Sequence, residues 1–240
     1  MKLVTLNIQH GGGKRIRGIL DYLQSQDADV IVLTEFRENS NAEALRSGLA
    51  AKGFHHFAEA SVAPNENTVC IFSRERFVSR TYPELPAQDR HRLISAHFDG
   101  MAVYGVYFSQ NKAKAGLFEF LAEGGHHPAE AVHFIVGDFN TGLHFQDEEG
   151  ATFYCTADFK ALSESGLVDS WRSRHPDTRE FSWYSNHCNG FRIDHVFSSP
   201  EADTLIERVY YDHKPREAKA TDHSALVVKM SANNSFQRTN

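Results

Sequence analysis

Two periods run through the apolar positions of this chain. From Leu3 to Ile8 apolar and polar residues alternate, the period of two expected of a strand with one face on a core. Ile16, Ile19, Leu20 and Leu23 then recur at three- and four-residue spacing, which gathers them on one face of a helix. Asp29-Val30-Ile31-Val32-Leu33 is a short apolar run that reads as a buried strand, and Ala42 to Leu49 suggests a second helix. Between Phe54 and Phe108 the pattern becomes a series of strands, with turns at Pro64-Asn65, Pro83 and Asp99-Gly100. Phe118, Leu121 and Ala122 mark another helix before a strand that ends at Val136. The second half repeats the theme: a helix at Thr156–Ser165, then strands near Phe191–Ser198, Leu205–Tyr210 and His223–Val228. There is no internal repeat and no linker rich in Pro, Ser or charge. Many strands with helices in both halves fit two sheets packed face to face with helices outside, a layered α/β sandwich. One domain over residues 1–230 is expected, followed by a polar tail over 231–240.

Composition narrows the setting. The chain has 240 residues, 41% hydrophobic and 23% charged, which suits a globular protein. No apolar run approaches the ~20 residues that span a bilayer, so no membrane role is expected. The N-terminal segment turns polar too early for a secretory signal. Three cysteines without paired spacing argue against a disulfide framework, and a cytoplasmic monomer is the simplest expectation. A net charge of −6 argues against attachment to nucleic acid by bulk electrostatics but leaves room for a local basic rim.

Asn7, Glu35, Asp138, Asn140, Asp194, Asp222 and His223 share one position: each lies at or just beyond the end of an apolar run. Singly, Asp138-Phe139-Asn140 is turn chemistry, because both side chains bond their own backbone. Together, such residues converge on the rim where layered α/β folds place their sites. The oxygen donors Glu35, Asp222 and Asn7 suit magnesium or manganese, and Asp138 suits the orientation or deprotonation of an attacking water. Asp194 and His195, like Asp222 and His223, are neighbours pointing to opposite faces. The pairing expected is therefore cross-strand, Asp194 to His223, leaving an imidazolium to donate to a phosphate oxygen. Gly11-Gly12-Gly13-Lys14-Arg15 reads equally as a phosphate cradle or as a strand-to-helix turn. His126-His127 and His187-Cys188 lack a second half at metal-ligand spacing and read as loops. No Gly-x-Ser-x-Gly elbow is present.

With these residues assembled, the chain resembles the endonuclease/exonuclease/phosphatase superfamily, in particular its exonuclease III and abasic-site endonuclease branch. Six motifs run in the family's order: Leu6-Asn7-Ile8, Leu33-Thr34-Glu35, Gly105-Val106-Tyr107-Phe108, Gly137-Asp138-Phe139-Asn140, Gly190-Phe191-Arg192-Ile193-Asp194 and Thr221-Asp222-His223-Ser224. The resemblance implies a four-layer αββα sandwich of two packed, mainly antiparallel sheets flanked by helices, with the site at one edge. It implies a divalent-metal-dependent phosphodiester hydrolase, an exonuclease III-like DNA nuclease acting by direct attack of water. Glu35 would be the main ligand of Mg2+ or Mn2+, with Asn7 and Asp222 close to the ion. Asp138 would activate water and Asn140 would hold the phosphate or that water. Tyr107 would contact the phosphate region, and His223, paired to Asp194, would support the scissile phosphate.

Trp183, Phe191 and Ile193 match the pocket for a base-less sugar, or are core on a half-buried strand. Lys14, Arg15, Lys112, Lys114 and Arg192 are the cations expected on DNA phosphates. The chain departs from the branch at Gln9, at Thr34 and in the short Ser109–Lys114 loop. These departures bear on substrate, and they keep a second reading in view: a phosphatase or phosphodiesterase for a small phosphorylated metabolite or lipid headgroup.

Overall fold

The computed structural model describes residues 1–60, 62–63, 65–124 and 130–231. Its strands, in chain order, are β1 (Lys2–Asn7), β2 (Val30–Phe36), β3 (His56–Glu59), β4 (Thr68–Ser73), β5 (Val78–Arg80), β6 (Leu93–Phe98), β7 (Met101–Tyr107), β8 (Val132–Asp138), β9 (Val168–Asp169), β10 (Trp183–Tyr184), β11 (Gly190–Phe191), β12 (Asp194–Ser198), β13 (Ile206–Asp212) and β14 (Ala225–Met230). They form two six-stranded sheets and a short ribbon. The first sheet runs β13-β14-β1-β2-β4-β3, the second β5-β6-β7-β8-β12-β9, and β10 pairs with β11. Each large sheet is antiparallel except at its centre, where β1 lies parallel to β2 and β7 parallel to β8.

Strand alternation sorts side chains into layers. Leu3, Val30, Val32, Val103, Phe134, Val136 and Val196 share the core between the sheets. Val4, Leu6, Ile31 and Leu33 turn outward against Ile19 and Leu23 of helix α1 (Ile16–Ser25) and Leu45 and Leu49 of α2 (Ser40–Ala50). Tyr104, Val106, Ile135 and Phe197 turn the other way, against Leu117 and Leu121 of α3 (Ala115–Ala122) and Phe159 and Leu162 of α4 (Thr156–Glu164). The result is the four-layer αββα sandwich. Each fully buried Val, Leu or Phe contributes about 1.5–3 kcal/mol relative to exposure, so the register that keeps these faces inward is firmly specified. Between the layers the approach is close at Gly105: a Cβ there would stand 2.8 Å from Val69 and 3.0 Å from Val32.

Three short helices completing the fold, α5 (Ser170–Arg174), α6 (Pro200–Thr204) and α7 (Lys214–Glu217), lack the length to show a hydrophobic period. Helix α2 starts before the expected Ala42 because Asn39 caps it, accepting from Asn41 N at 2.9 Å. The strand expected over Phe191–Ser198 is two strands in different sheets. Phe191 pairs with Trp183 in the ribbon, Asp194 pairs with Asp138 in the second sheet, and Arg192 turns into the interior between them. His126-His127 and, beyond Ser231, the polar tail lie outside the described residues. No helix among the described residues is long and apolar enough to cross a membrane.

Candidate active site

The two parallel strand pairs end at the same edge, and their last residues face one another. By alternation from Val136 and Val196, Asp138 and Asp194 belong to the inter-sheet face; Tyr107 follows Val103, and Asn7 follows Leu3. Register sets Asp138 directly opposite both Tyr107 and Asp194. From the other sheet, Asn7 Nδ2 donates to Asp138 Oδ2 at 2.9 Å and to Glu35 Oε1 at 3.2 Å. One amide thus ties the carboxylates of the two sheets together.

Glu35 reaches this point by an irregularity. Regular alternation would send it outward with Ile31 and Leu33. Instead the β2–β4 register shifts between Thr34 and Phe36, and Glu35 takes a left-handed conformation, φ 53°. Such a bulge re-aims a side chain at the end of a strand. Glu35 Oε2 accepts from His10 N at 2.9 Å, His10 Nδ1 lies 2.9 Å away, and the Tyr107 hydroxyl reaches Oε1 at 3.4 Å. On the Asp138 side a glycine is required. Gly137 has φ 146°, and a Cβ there would sit 1.9 Å from the Val106 carbonyl oxygen. Asp138 Oδ1 then accepts from Asn140 N at 2.8 Å, while the Asn140 amide donates to Phe108 O at 2.8 Å.

The Asp194–His223 pair forms, with Nδ1 to Oδ2 at 2.8 Å. It joins the two sheets' edges rather than neighbouring strands, because His223 precedes β14 of the first sheet and bridges to Trp183. Burial disfavours charge on His223, yet Asp194 more than offsets it and lifts the imidazole to about 10. With Nδ1–H on Asp194, Nε2–H is the free donor. Burial, reinforced by Asp194, pushes Asp138 up to about 7, against the pull of His223. Burial and the carboxylates of Glu35 and Asp138 raise Tyr107, which stays a hydroxyl donor.

This donor set fits a divalent cation. Asp138, Asp194 and His223 cluster with polar atoms all within 4.8 Å of one another; the two carboxylates are the donors there, since the His223 imidazolium carries both ring protons. Asp194 Oδ1 is buried with no hydrogen-bond partner among the described residues, an electron-rich atom suited to a cation. Glu35 and Asn7 supply further hard oxygen donors. Asp222 lies across Gln9 and Trp183, accepting from the Gln9 amide and the Trp183 indole at 3.0 Å each.

Beside Asn140 a cavity of about 270 Å³ is lined by Trp183, Phe191 and Ile193, with Phe153, Tyr154 and Lys114 completing its wall. Its floor is therefore shared by the three apolar residues singled out in the sequence. Phe153 and Tyr154 were not recognisable beforehand. Their loop is held by buried Glu148, which accepts from the N–H groups of Thr152 and Phe153 at 2.8 and 3.0 Å.

Two of the five cations expected on phosphates, Arg192 and Lys114, are buried. Arg192 is 0% exposed and bonds Asp147 and Asp169, so it has no path to a substrate. Lys114 is buried and donates to the Asn140 carbonyl, supporting the loop rather than presenting a free cation. Arg15 bonds the Gln9 side chain and, at 3.1 Å, its carbonyl. Lys14 and Lys112 are exposed. The Gly11–Gly13 segment is a turn whose carbonyls at Gly11 and Gly13 accept from Asn41 at 2.9 Å. The preceding N–H groups of Gln9 and His10 serve Asn7 and Glu35, which fixes those two side chains in the site. Gln9 and His10 were missed in the sequence because their left-handed backbone, φ 50° and 55°, carries no signal in a single chain.

No curated protein matches the chain. Among solved structures, 3′ phosphatase NExo from Neisseria bound to product DNA hairpin aligns with a TM-score of 0.82 and 23% identity, over 96% of this chain and 99% of its own. An AP endonuclease from Archaeoglobus fulgidus gives 0.83 and 21%, over 96% and 99%. The 3′-5′ exonuclease NExo from Neisseria meningitidis gives 0.81 and 23%, over 96% and 100%. At these identities the likeness establishes the fold. Family is settled by the sequence profile that matches residues 4–223, a span containing every polar residue of the inter-sheet edge: the chain belongs to the Endonuclease/Exonuclease/phosphatase family and is a hydrolase of phosphoric esters.

Proposed function

We propose that the protein is a divalent-metal-dependent phosphodiesterase of nuclease type that hydrolyses DNA by direct attack of water. The observation that carries this reading is the position of Asp138. It is buried, held by Asn7 and by Asn140, which lines the neighbouring aromatic cavity, and flanked by the Asp194–His223 pair. A base raised to about 7 is matched to proton transfer near neutral pH. Asp138 takes the proton of a water whose oxygen bonds to phosphorus. The imidazolium of His223 donates through Nε2–H to a non-bridging oxygen as charge builds, and Tyr107 and Asn140 position the phosphate. Glu35, Asn7 and Asp222 are the residues proposed to hold Mg2+ or Mn2+, which when bound neutralises phosphate charge and stabilises the departing oxygen.

DNA is favoured as substrate by the cavity of Trp183, Phe191 and Ile193, large enough for a sugar, and by the DNA hairpin and AP endonuclease named for the structural neighbours. The test is a parallel assay with magnesium or manganese on abasic duplex, 3′-phosphate duplex, nicked duplex, single-stranded DNA, bis-p-nitrophenyl phosphate and a panel of phosphorylated metabolites. Cleavage of a DNA substrate, abolished by EDTA, is expected. Efficient hydrolysis of a metabolite beside silence on every nucleic acid would overturn the reading in favour of a small-molecule phosphatase.

A further inference from the structure

A second surface leads away from the catalytic edge, lined by residues other than those of the aromatic cavity. Two grooves of about 320 and 340 Å³ share Arg15 and Lys219 in their walls. The inner one begins at Asp222 and Gln9, where the catalytic residues end, and takes in Tyr184 and Arg216. The outer one continues along α1 and α7 past Lys214. Arg15, Lys214, Arg216 and Lys219 thus bring four cations to one track of a protein whose net charge is −6.

Among the described residues none of the four stands in an ion pair; the salt bridges recorded involve other cations. Arg216 is oriented. Its Nε donates to Ser224 Oγ at 2.9 Å, and its guanidinium lies 4.6 Å over the Tyr184 ring, which is 40% exposed. Lys219 is exposed, on a left-handed backbone, φ 55°. Acidic groups also border the track: beside the outer groove Asp212 accepts from Lys214 N at 3.1 Å and from the Tyr22 hydroxyl at 3.2 Å. Asp222 at its inner end is engaged by Gln9 and Trp183, and Glu217 points to solvent from α7.

Unpaired cations spaced along a groove, with an exposed aromatic ring between them, are what a flexible polyanion with flat bases requires. We infer that this track binds the polynucleotide strand beyond the scissile phosphate, with phosphates on Arg15, Arg216, Lys219 and Lys214 and a base against Tyr184. The inference rests on the nuclease reading and adds the place where the substrate's continuing strand lies. It also explains how an acidic protein can hold DNA: the positive charge is local.

The test compares wild type with Arg216→Gln/Lys219→Asn, asparagine being tolerant of the left-handed backbone at 219. Binding of a fluorescein-labelled single-stranded 12-mer is followed by anisotropy in EDTA from 50 to 300 mM salt. Hydrolysis of bis-p-nitrophenyl phosphate with manganese is measured alongside. Two lost contacts should weaken 12-mer binding about five- to thirty-fold at 100 mM salt and make the slope of log K against log salt shallower by about 1.4. Turnover of the small diester should stay within twofold, showing the catalytic edge intact. Wild-type affinity and slope in the variant, with the 12-mer bound and cut by wild type, would overturn the groove alone. A wild-type protein that binds and cuts no oligonucleotide, yet hydrolyses the small diester, would overturn the nuclease reading with it.

Discussion

Arg192 stands in a motif that, read as sequence, places it next to a catalytic aspartate, and replacing it should destabilise the protein rather than loosen substrate. Its Nε and Nη2 lie 2.6 and 3.1 Å from the two oxygens of Asp147, and Nη1 and Nη2 lie 3.2 and 2.7 Å from those of Asp169. Asp147 keeps the Arg172 guanidinium as a second partner at 2.6 Å, whereas Asp169 keeps the Arg172 N–H at 3.0 Å and, as its nearest remaining cation, His195 at 3.8 Å. Arg192→Ala therefore strands at least one buried carboxylate, a change that costs about 3–5 kcal/mol. At about 2–4 °C per kcal/mol for a chain of this size, Tm should fall by roughly 6–20 °C.

The pH dependence follows from the shifts. Burial alone would raise both carboxyls, but Arg192 holds Asp147 and Asp169 below their usual range. Groups depressed in the folded state stabilise above the unfolded carboxyl value, near 3.9, and that contribution is lost as pH falls below it. In Arg192→Ala burial at Asp169 is opposed only by His195 and the Arg172 N–H, so the carboxyl loses its strongest depressing partner, its folded-state value rises, and the variant's deficit should narrow from pH 8 to pH 5. Thermal melts at pH 8, 7 and 5, with kcat and KM measured well below the variant's Tm, provide the readout. An unchanged Tm with a raised KM for DNA would refute the argument and return Arg192 to the substrate.

Asp138→Asn is nearly isosteric and should fold normally while turnover drops by ~10²–10⁴; a loss under threefold, with chemistry rate-limiting, would remove Asp138 from the centre. Because Asp138 acts deprotonated and His223 protonated, kcat/KM should rise through about pH 7 and fall near pH 10. Increasing manganese should move the acid limb lower, since a neighbouring cation favours the carboxylate; a limb indifferent to metal concentration would speak against an ion beside Asp138. Asp194→Asn and His223→Ala, combined, should be no worse than the poorer single variant, and losses that multiply would show two independent groups. Gly137→Ala should lower stability by about 2–4 kcal/mol or prevent folding, from the forced contact with Val106 O and the strained φ. A wild-type denaturation midpoint would contradict this.

The layers were legible because strands and helices impose different periods, and Val32, Leu33, Val136 and Val196 announce their faces by alternation alone. Asp138, Asp194 and Asn7 were legible as strand ends for the same reason. What could not be read was any side chain whose direction depends on a break in the period. Glu35 points to the site only because a bulge turns it there. Gln9 and His10 serve their neighbours through a backbone that no local pattern requires. Arg192 falls between two strands of different sheets, where alternation assigns no face, and a guanidinium looks the same in sequence whether it meets a phosphate or a buried carboxylate. Arg216 and Lys219 were overlooked because α7 has four residues and no period of its own.

Gly105 has a meaning that its distance from any substrate conceals. Half of the reactive edge rides on one sheet and half on the other, so the gap from Glu35 to Asp138 is an interlayer distance as much as a property of either residue. That gap depends on how closely the layers pack, as at Gly105 against Val69 and Val32. The bulk of side chains in the middle of the sandwich thereby works as a shim, and a single added methyl group there reaches the chemistry by wedging the layers apart. Conversely, whatever bridges the edge on binding clamps the seam, and the layers and the ligand hold each other in alignment.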